Sequence, residues 1–337
     1  MSSDNNVARP RLLFAADLHP DHNFMMQRHS SIVSALSDYE IEFIDIFGFL
    51  GEDDAYALES RCTDATYMRE YFGSADLPAL NRTFRSRLAR HHWDILCLCT
   101  ISHFSYYLLP ETIRSLSREK GTVVGFFGDD ETMFAEHKFW VGMFDAVVAY
   151  TEAEVRRYQC WNPFTYLLPI GMGKQLSIPE HSTQDIDVIF VGRPYGIRAA
   201  LVRKLKRAGI PIRVFGSRQW ERYSDLREVY RGYLKREDFW RQLKRAKIVL
   251  NLMEDATGQS THINAKVFEA AMVGAFCLTT YYRPFETTYG LREGYSIEFY
   301  RDAEELVTKT QFYLRNPGLR TAIAQRMQEH LSGSLIK

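Results

Sequence analysis

The sequence lacks an excess of charge of either sign. Its 337 residues contain 42 Lys and Arg against 42 Asp and Glu, so the formal net charge is zero at pH 7. A neutral chain has no global attraction for a polyanion or for an anionic bilayer. We therefore expect no nucleic acid among its partners, and any charged ligand must be met by a local group of charges.

Cysteine is scarce, and long apolar runs are missing. The five cysteines include no C-x-x-C pair and no spacing typical of a disulfide framework. No apolar stretch approaches the roughly 18 residues of a membrane-spanning helix, and the first ten residues do not resemble a signal peptide. These absences predict a cytoplasmic protein without an integral membrane segment; the oligomeric state stays open.

What the sequence does contain is a repeated alternation of short apolar runs with longer segments of helical period. This alternation is typical of a parallel sheet with helices on both faces. We predict strands at 11–16, 40–45, 95–100, 122–127, 146–149, 166–168, 186–191, 212–215, 247–252 and 275–279. We predict helices at 24–38, 77–92, 110–120, 152–160, 196–208, 236–246, 264–273, 303–315 and 317–331.

The pattern restarts after a stretch at 169–184 that contains Gly and Pro. We therefore predict an α/β protein with two doubly wound, Rossmann-like domains, at residues 1–175 and 176–315, facing a cleft. Residues 316–337 are expected to form a helix that packs back toward the first domain. Ligands of such sheets bind at the carboxyl ends of the strands, so the chemistry should lie in the loops that follow them.

The first such loop of the second half contains Gly192 and Arg193. Gly192 allows a ligand to approach the backbone, and the Arg193 guanidinium can bind a phosphate beside the positive end of the next helix. The alternative interpretation is an ordinary strand-to-helix turn with a surface arginine.

The most informative stretch is 251–280, where a polar loop precedes a helix with an apolar face. The backbone N–H groups of a helix start suit a diphosphate. Lys266 and Glu269 are three residues apart and so share one face of that helix. A cation there can neutralise a phosphate, and a carboxylate can accept both hydroxyl protons of a ribose. The alternative is a solvated ion pair on a helix surface.

An ordered set of motifs resembles the CgeB-like (spore-maturation-protein) family of glycosyltransferases. The motifs are 190–193 (FVGR), 214–216 (VFG), 233–238 (YLKRED), 248–251 (IVLN), 264–269 (NAKVFE), 274–276 (GAF), 297–302 (IEFYRD) and 313–316 (YLRN). The resemblance covers roughly residues 186–330, and the ordered set is far more specific than any single motif. The N-terminal half resembles the family only diffusely.

The resemblance implies the GT-B architecture, with a nucleotide-sugar donor held by the C-terminal domain, an acceptor held by the N-terminal domain, and no metal or other cofactor. It implies that Glu269 binds the donor ribose, that Arg193 and Lys266 contact the diphosphate, and that Gly216, Tyr233 and Lys235 border the base. The helix start would contribute backbone N–H groups from Thr261, His262, Ile263 and Asn264. One departure is Thr261, which stands where many related retaining transferases have a second Glu.

Candidates for the acceptor side follow strands of the first half. An inverting transferase needs a general base for the acceptor hydroxyl, whereas a retaining one does not. His19, His103 and Asp130 are the candidate catalytic residues, although Asp130 also suits the first turn of a helix that starts near Glu131. Asp and His residues at 17–22 show no further ligand at metal-site spacing, so we predict no bound metal.

A strongly basic segment, 198–247, contains sixteen Lys and Arg against five Asp and Glu. Interleaved aromatic residues would suit a nucleic-acid patch, but a nucleoside-diphosphate donor also favours a basic domain. The prediction is a glycosyltransferase that moves a sugar from a donor such as a UDP-, GDP- or dTDP-sugar to a saccharide or small-molecule acceptor. The alternatives are an epimerase or phosphorylase of the same fold, and a catalytically silent glycan-binding or partner subunit.

Overall fold

The computed structural model describes residues 9–16, 36, 38–45, 76–99, 108–128, 130–169, 171, 183–234, 236–253 and 263–333. The chain divides into two compact units between Pro169 and Ile170. They are called the N-terminal and the C-terminal unit below. Within the described ranges, no helix combines the length and the apolar character needed to cross a membrane.

The N-terminal unit is built on a parallel sheet of six described strands. They are β1 (Arg11–Ala16), β2 (Glu40–Asp45), β3 (Ile95–Cys99), β4 (Thr122–Phe126), β5 (Ala146–Ala149) and β6 (Thr165–Leu167), in the order β2-β1-β3-β4-β5-β6. The described helices are α1 (Leu77–Leu88), α2 (Pro110–Glu119), α3 (Asp130–Val141) and α4 (Glu152–Tyr158).

Burial on both faces explains why β3, and β1 after Arg11, are apolar without interruption. Successive side chains of β1 point to opposite faces, so Leu13 and Ala15 join one buried cluster while Leu12 and Phe14 join another. β3 divides in the same way between its Leu and Cys residues. Parallel sheets are normally covered on both faces, and this pattern is what the sequence predicts.

The C-terminal unit contains a five-stranded parallel sheet. Its strands are β7 (Ile186–Val191), β8 (Ile212–Phe215), β9 (Ala246–Asn251), β10 (Cys277–Thr280) and β11 (Glu298–Tyr300), in the order β11-β10-β9-β7-β8. The described helices are α5 (Arg198–Arg207), α6 (Arg236–Arg245), α7 (Lys266–Met272), α8 (Pro284–Thr287), α9 (Ala303–Arg315) and α10 (Pro317–Gly333). Two short 3₁₀ helices lie at Arg218–Arg222 and Ser224–Leu226.

One large buried cluster holds this second sheet to its helices. It joins side chains of the central strands to Leu201, Val202 and Leu205 of α5 and to Leu306 and Tyr313 of α9. α10 packs against α7 and α9 within the same unit. α7 is therefore held from two sides, by the sheet and by the C-terminal helix.

Both sheets reverse their strand order at one place. In the N-terminal unit β1 lies between β2 and β3, and in the C-terminal unit β7 lies between β8 and β9. Consecutive connections leave on opposite sides of β1 and of β7, which opens a crevice at the carboxyl ends of the paired strands. In the C-terminal unit this crevice lies between the ends of β7 and β9.

The predicted elements that fall within the described residues agree with the structure in kind and order, and α3 is the helix expected near Glu131; α8 and β11 were not among the predicted helices and strands. The main corrections are at the ends: the helix predicted at 77–92 stops at Leu88, that at 264–273 covers Lys266–Met272, and the strand predicted at 275–279 covers Cys277–Thr280. Gly274 ends α7 with a φ of +62°, as predicted for the residue after the helix. The helix predicted at 24–38 lies almost entirely outside the described residues.

Ion pairs neutralise part of the positive charge of the basic segment 198–247. The pairs are Arg203 with Asp225, Lys204 with Glu304, Lys206 with Glu228, Arg241 with Asp238, Arg245 with Asp185 and Lys247 with Asp187. The local charge is thus smaller than the sequence count indicates, because several of these carboxylates come from outside the segment.

A second cluster of ion pairs gives a pH-dependent contribution to stability. Glu293 accepts hydrogen bonds from Arg301 at 2.6 Å and from Lys309 at 2.9 Å. The bond from Arg301, followed by that from Lys309, lowers the pKa of Glu293 to about 2 from an ordinary 4.5. Because the pKa is lowered in the folded state, this stability is present above pH 4.5 and is lost as the pH falls toward 2.

We expect Glu293→Gln to flatten the fall in the free energy of unfolding between about pH 4.5 and 2. Urea denaturation at several pH values measures this slope. Glu329→Gln, which changes an exposed carboxylate of α10, is the matched control and should leave the slope as it is. A Glu293→Gln protein with the wild-type slope would contradict the pairing.

Candidate functional site

Two glycines bring the ends of β7 and β8 into backbone contact. Gly192 donates its N–H to the Phe215 carbonyl at 2.9 Å. Gly216 has a φ of +131°, and a Cβ atom placed there would lie 2.4 Å from the Gly192 carbonyl oxygen. That oxygen also accepts a hydrogen bond from Trp220 Nε1 at 2.8 Å. Gly216 therefore needs glycine, and at Gly192 a Cβ atom would lie 2.9 Å from the ring of the buried Phe190, so the first loop of the predicted site is tightly packed.

The loop after Gly192 carries two arginines in different environments. Arg193 is exposed, as a ligand-binding side chain can be. Arg198, the first residue of α5, is only 5% exposed; its guanidinium lies 3.5 Å from the Tyr195 ring centroid and donates to the Arg193 carbonyl oxygen at 3.3 Å. Arg198 was not among the predicted site residues. Its position five residues after Arg193, at a helix start, was the available signal.

The turn predicted to border the base lies next to Gly216. The Gly216 N–H donates to the Gly232 carbonyl at 2.9 Å, and the Tyr230 hydroxyl donates to the Gly216 carbonyl at 3.0 Å. Tyr233 follows directly and is 63% exposed. The structure thus brings Gly216 and Tyr233 to the same loop pair, whereas Lys235 lies outside the described residues.

α7 is the helix that follows β9 in the chain, and β9 pairs with β7 where the strand order reverses. Ile263 is buried, and the Asn264 side chain accepts a hydrogen bond from the Lys266 backbone N–H at 3.1 Å. This side-chain bond satisfies one of the N–H groups that a helix start leaves open. Thr261 and His262 lie outside the described residues.

Lys266 and Glu269 form a buried ion pair. Lys266 Nζ lies 2.5 Å from Glu269 Oε2, and the two side chains are only 12% and 9% exposed. The solvated surface pair considered as an alternative is therefore wrong for these residues. Removing a cation and a carboxylate from water carries a desolvation penalty. A buried pair at the crevice of the sheet therefore lowers the free energy of unfolding unless its own attraction offsets that penalty.

Two neighbours complete the surroundings of this pair. Lys266 Nζ lies 4.6 Å from the centroid of the Phe239 ring, which belongs to α6. The Cys277 thiol of β10 is fully buried; burial raises its pKa to about 12, while Lys266 lowers it and Glu269 raises it by smaller amounts. Cys277 is thus a protonated core residue and not a nucleophile.

A buried polar network fixes the edge from which the loop to α7 departs. Asn251 Nδ2 donates to Thr279 Oγ1 at 2.9 Å, and the Met253 N–H donates to Thr280 Oγ1 at 3.0 Å. The hydroxyls of Thr280 and Tyr300 are 2.8 Å apart. This network joins the carboxyl ends of β9, β10 and β11, so the backbone beside α7 is held rigidly.

Of the three candidate catalytic residues of the first half, the structure describes only the backbone of Asp130. His19 and His103 lie outside the described residues; the strands that precede them, β1 and β3, are paired neighbours at the reversal of strand order. Asp130 begins α3, as its alternative interpretation requires, and its side chain is not among those described. Within the described part of the chain, no three His, Cys, Asp or Glu residues form a metal-binding group.

The described site residues thus gather at one edge of the C-terminal sheet. Gly192 and Arg193 follow β7, Gly216 follows β8, and Lys266 and Glu269 open the helix that follows β9. The arrangement offers guanidinium and ammonium groups for an anion, and a buried carboxylate for hydroxyl groups.

Comparison with known families identifies part of this region. Residues 196–334 match a family described as glycosyl transferase-like. The match includes Gly216, Tyr233, Lys266 and Glu269 but begins after Arg193. No curated protein matches the chain in sequence.

Several solved structures share the fold of the whole chain. Sucrose-phosphate synthase from Thermosynechococcus elongatus aligns with a TM-score of 0.64 and 12% identity, over 96% of this chain and 94% of that one. HepE from Anabaena, solved with UDP and glucose, aligns with a TM-score of 0.62 and 12% identity, over 97% and 95% of the two chains.

TarM from S. aureus, solved in one structure with α-GlcNAc-glycerol and UDP, is a larger protein. It aligns with a TM-score of 0.55 and 12% identity over 76% of this chain, which spans only 56% of the TarM chain. Together these structures show the predicted fold class, GT-B, with two Rossmann-like units. The prediction of a glycosyltransferase agrees with both the family match and the fold.

Proposed function

We propose that this glycosyltransferase of the GT-B fold transfers a sugar from a UDP-sugar to a hydroxyl group of an acceptor, in the manner of the CgeB-like family. The family match and the fold support the reaction class. UDP is proposed as the donor nucleotide because structures of the same fold were solved with UDP, UDP and glucose, or UDP-glucose. The domain predicted at residues 176–315, with the helix that follows it, is proposed to bind the donor.

The buried pair of Lys266 and Glu269 is the observation that carries this proposal. A nucleoside diphosphate presents two ribose hydroxyls, which a carboxylate can accept, next to an anionic diphosphate, which an ammonium group can bind. A pair with side chains 12% and 9% exposed has few water molecules to compete with such a ligand. Its place beside the crevice of a doubly wound sheet is where such ligands bind.

The β7 loop supplies the other part of the proposed diphosphate site. Gly192 allows close approach to the backbone, and Arg193 is exposed and permanently charged. Arg198 places a second guanidinium at the start of α5, beside the positive end of that helix. Charge that develops on the departing diphosphate would be stabilised by these fixed groups, which is the main way in which such a site accelerates transfer.

The acceptor is proposed to bind to the N-terminal unit, with His19, His103 or Asp130 as the base if transfer inverts the sugar configuration. His19 and His103 follow the adjacent strands β1 and β3, at the place where ligands of this fold bind. Separate replacement of His19, His103 and Asp130 by alanine tests this assignment. An inverting enzyme loses transfer in one of the three variants while UDP affinity is unchanged.

A nucleotide screen tests the proposed donor. UDP, GDP, dTDP, ADP and CMP are compared by their effect on the thermal unfolding midpoint, because a ligand that binds only the folded state raises its stability by mass action. We expect UDP to give the largest rise. If none of the five nucleotides raised the unfolding midpoint, the result would contradict the proposed function.

Arg193→Ala is expected to weaken UDP binding about tenfold, because one charge-assisted contact to phosphate is worth about 1.5 kcal/mol. The unfolding midpoint should not change, since the side chain is exposed. Arg207→Ala, at the far end of α5 and also exposed, is the control and should keep wild-type affinity. An equal loss of UDP affinity in the two variants would mean that Arg193 acts only through the net charge of the protein and not through contact with the phosphate.

A further inference from the structure

The Lys266 ammonium group has a second neighbour that the proposed function leaves unexplained. The Phe239 ring centroid lies 4.6 Å from Lys266 Nζ, within the range of a cation–π interaction. Phe239 lies in the first turns of α6, and Lys266 opens α7, so two separate helices meet at this ammonium group. The Trp240 ring meets Phe239 edge to face, at 4.8 Å and 86°. That contact restrains the orientation of the Phe239 ring.

An aromatic face differs from a carboxylate as a partner for a cation. It attracts the ammonium group through its quadrupole, but it neither neutralises the charge nor accepts a conventional hydrogen bond. Within the described part of the chain, the hydrogen-bond acceptor of Lys266 Nζ is Glu269. The ring therefore holds the ammonium group while leaving its charge and donors available to an anionic ligand.

In a donor complex the Glu269 carboxylate would have two partners, Lys266 and the ribose hydroxyls. The carboxylate would turn toward the ribose hydroxyls, which weakens its hold on Lys266. A lysine side chain has four rotatable bonds and loses about 2 kcal/mol of conformational entropy when it is fixed. Some other group must then restrain Lys266 at the moment when its charge is needed by the diphosphate.

We propose that Phe239 is a positioning residue that keeps the Lys266 ammonium group directed at the donor diphosphate when Glu269 binds the ribose. This inference rests on the proposed function. Phe239 of α6 thus affects donor affinity through Lys266 and does not touch the reacting atoms.

Calorimetry with UDP on a double-mutant cycle tests this role. Phe239→Leu keeps an apolar side chain and removes the ring, whereas Phe239→Tyr keeps the ring. We expect Phe239→Leu to weaken UDP binding about fivefold to tenfold and Phe239→Tyr to stay within twofold of wild type. Lys266→Met alone keeps Glu269 as the ribose acceptor, so its weakened UDP binding is still measurable. In that background Phe239→Leu should change the affinity by less than twofold, because the cation is already absent.

The control is Phe139→Leu, which removes a comparable ring near Lys138, at 4.9 Å, in the N-terminal unit. It should leave UDP affinity unchanged. Equal losses in Phe239→Leu and Phe239→Tyr, or a loss from Phe239→Leu that persists with Lys266→Met, would assign Phe239 a purely structural role and overturn the inference. Wild-type protein that binds no UDP would instead contradict the proposed function, so the two failures are distinguishable.

Discussion

Replacing Glu269 with alanine is expected to lower the free energy of unfolding of the C-terminal unit by about 3 to 5 kcal/mol. The physical reason is that Lys266, only 12% exposed, would be left as a buried charge without its carboxylate partner. The same substitution should abolish measurable UDP binding, because the ribose hydroxyls lose their acceptor. Urea denaturation measures the first effect and calorimetry the second.

A double variant separates these two effects. Lys266→Met combined with Glu269→Gln removes both charges while keeping side chains of similar size, and neutral replacements of a buried pair are often as stable as the pair itself. We expect this protein to recover most of the lost stability but none of the UDP affinity. Recovery of both would mean that the pair is structural and that the donor binds elsewhere.

Gly216→Ala is expected to lower the free energy of unfolding by about 3 kcal/mol, the sum of strain at positive φ and of a steric clash with a fixed neighbour. The Cβ atom would stand 2.4 Å from the Gly192 carbonyl oxygen, and that oxygen cannot retreat easily because Trp220 Nε1 is bonded to it at 2.8 Å. UDP affinity should fall as well, since the β7 loop must move. Thermal unfolding and UDP calorimetry measure the two effects.

Gly232→Ala is the matched control for this substitution. Gly232 also has a positive φ, +87°, but a Cβ atom there has nothing within 4 Å. It should cost only about 1 kcal/mol, which is the conformational part alone. If Gly216→Ala costs no more than Gly232→Ala, the close approach of the two glycine loops does not constrain the site.

The order of strands and helices, and part of the site, could be predicted from the sequence because they depend on local pattern. Apolar runs such as that of β9 are buried on both sides, and the glycine after α7 has the left-handed conformation that only glycine adopts easily. The spacing of Lys266 and Glu269 was enough to place them on one helix face. It was not enough to show that they are buried, because burial depends on α10 and the sheet around them.

The residues that sequence reasoning missed owe their positions to tertiary contacts. Arg198 is buried by its contacts with the Tyr195 ring and the Arg193 carbonyl, and Phe239 reaches Lys266 from a helix 27 residues earlier in the chain. A basic residue at a helix start and an apolar residue in an amphipathic helix have many other uses. Only the packing of α5 and α6 on the sheet brings these two residues beside Arg193 and Lys266.

A crystal structure of the protein with UDP is the decisive test of the proposed donor site. We expect the ribose hydroxyls to be bound by the Glu269 carboxylate, and the diphosphate to lie between the Gly192 loop and the start of α7, in contact with Lys266. A complex in which UDP lies away from this edge of the C-terminal sheet, with Glu269 still paired only to Lys266, would contradict it.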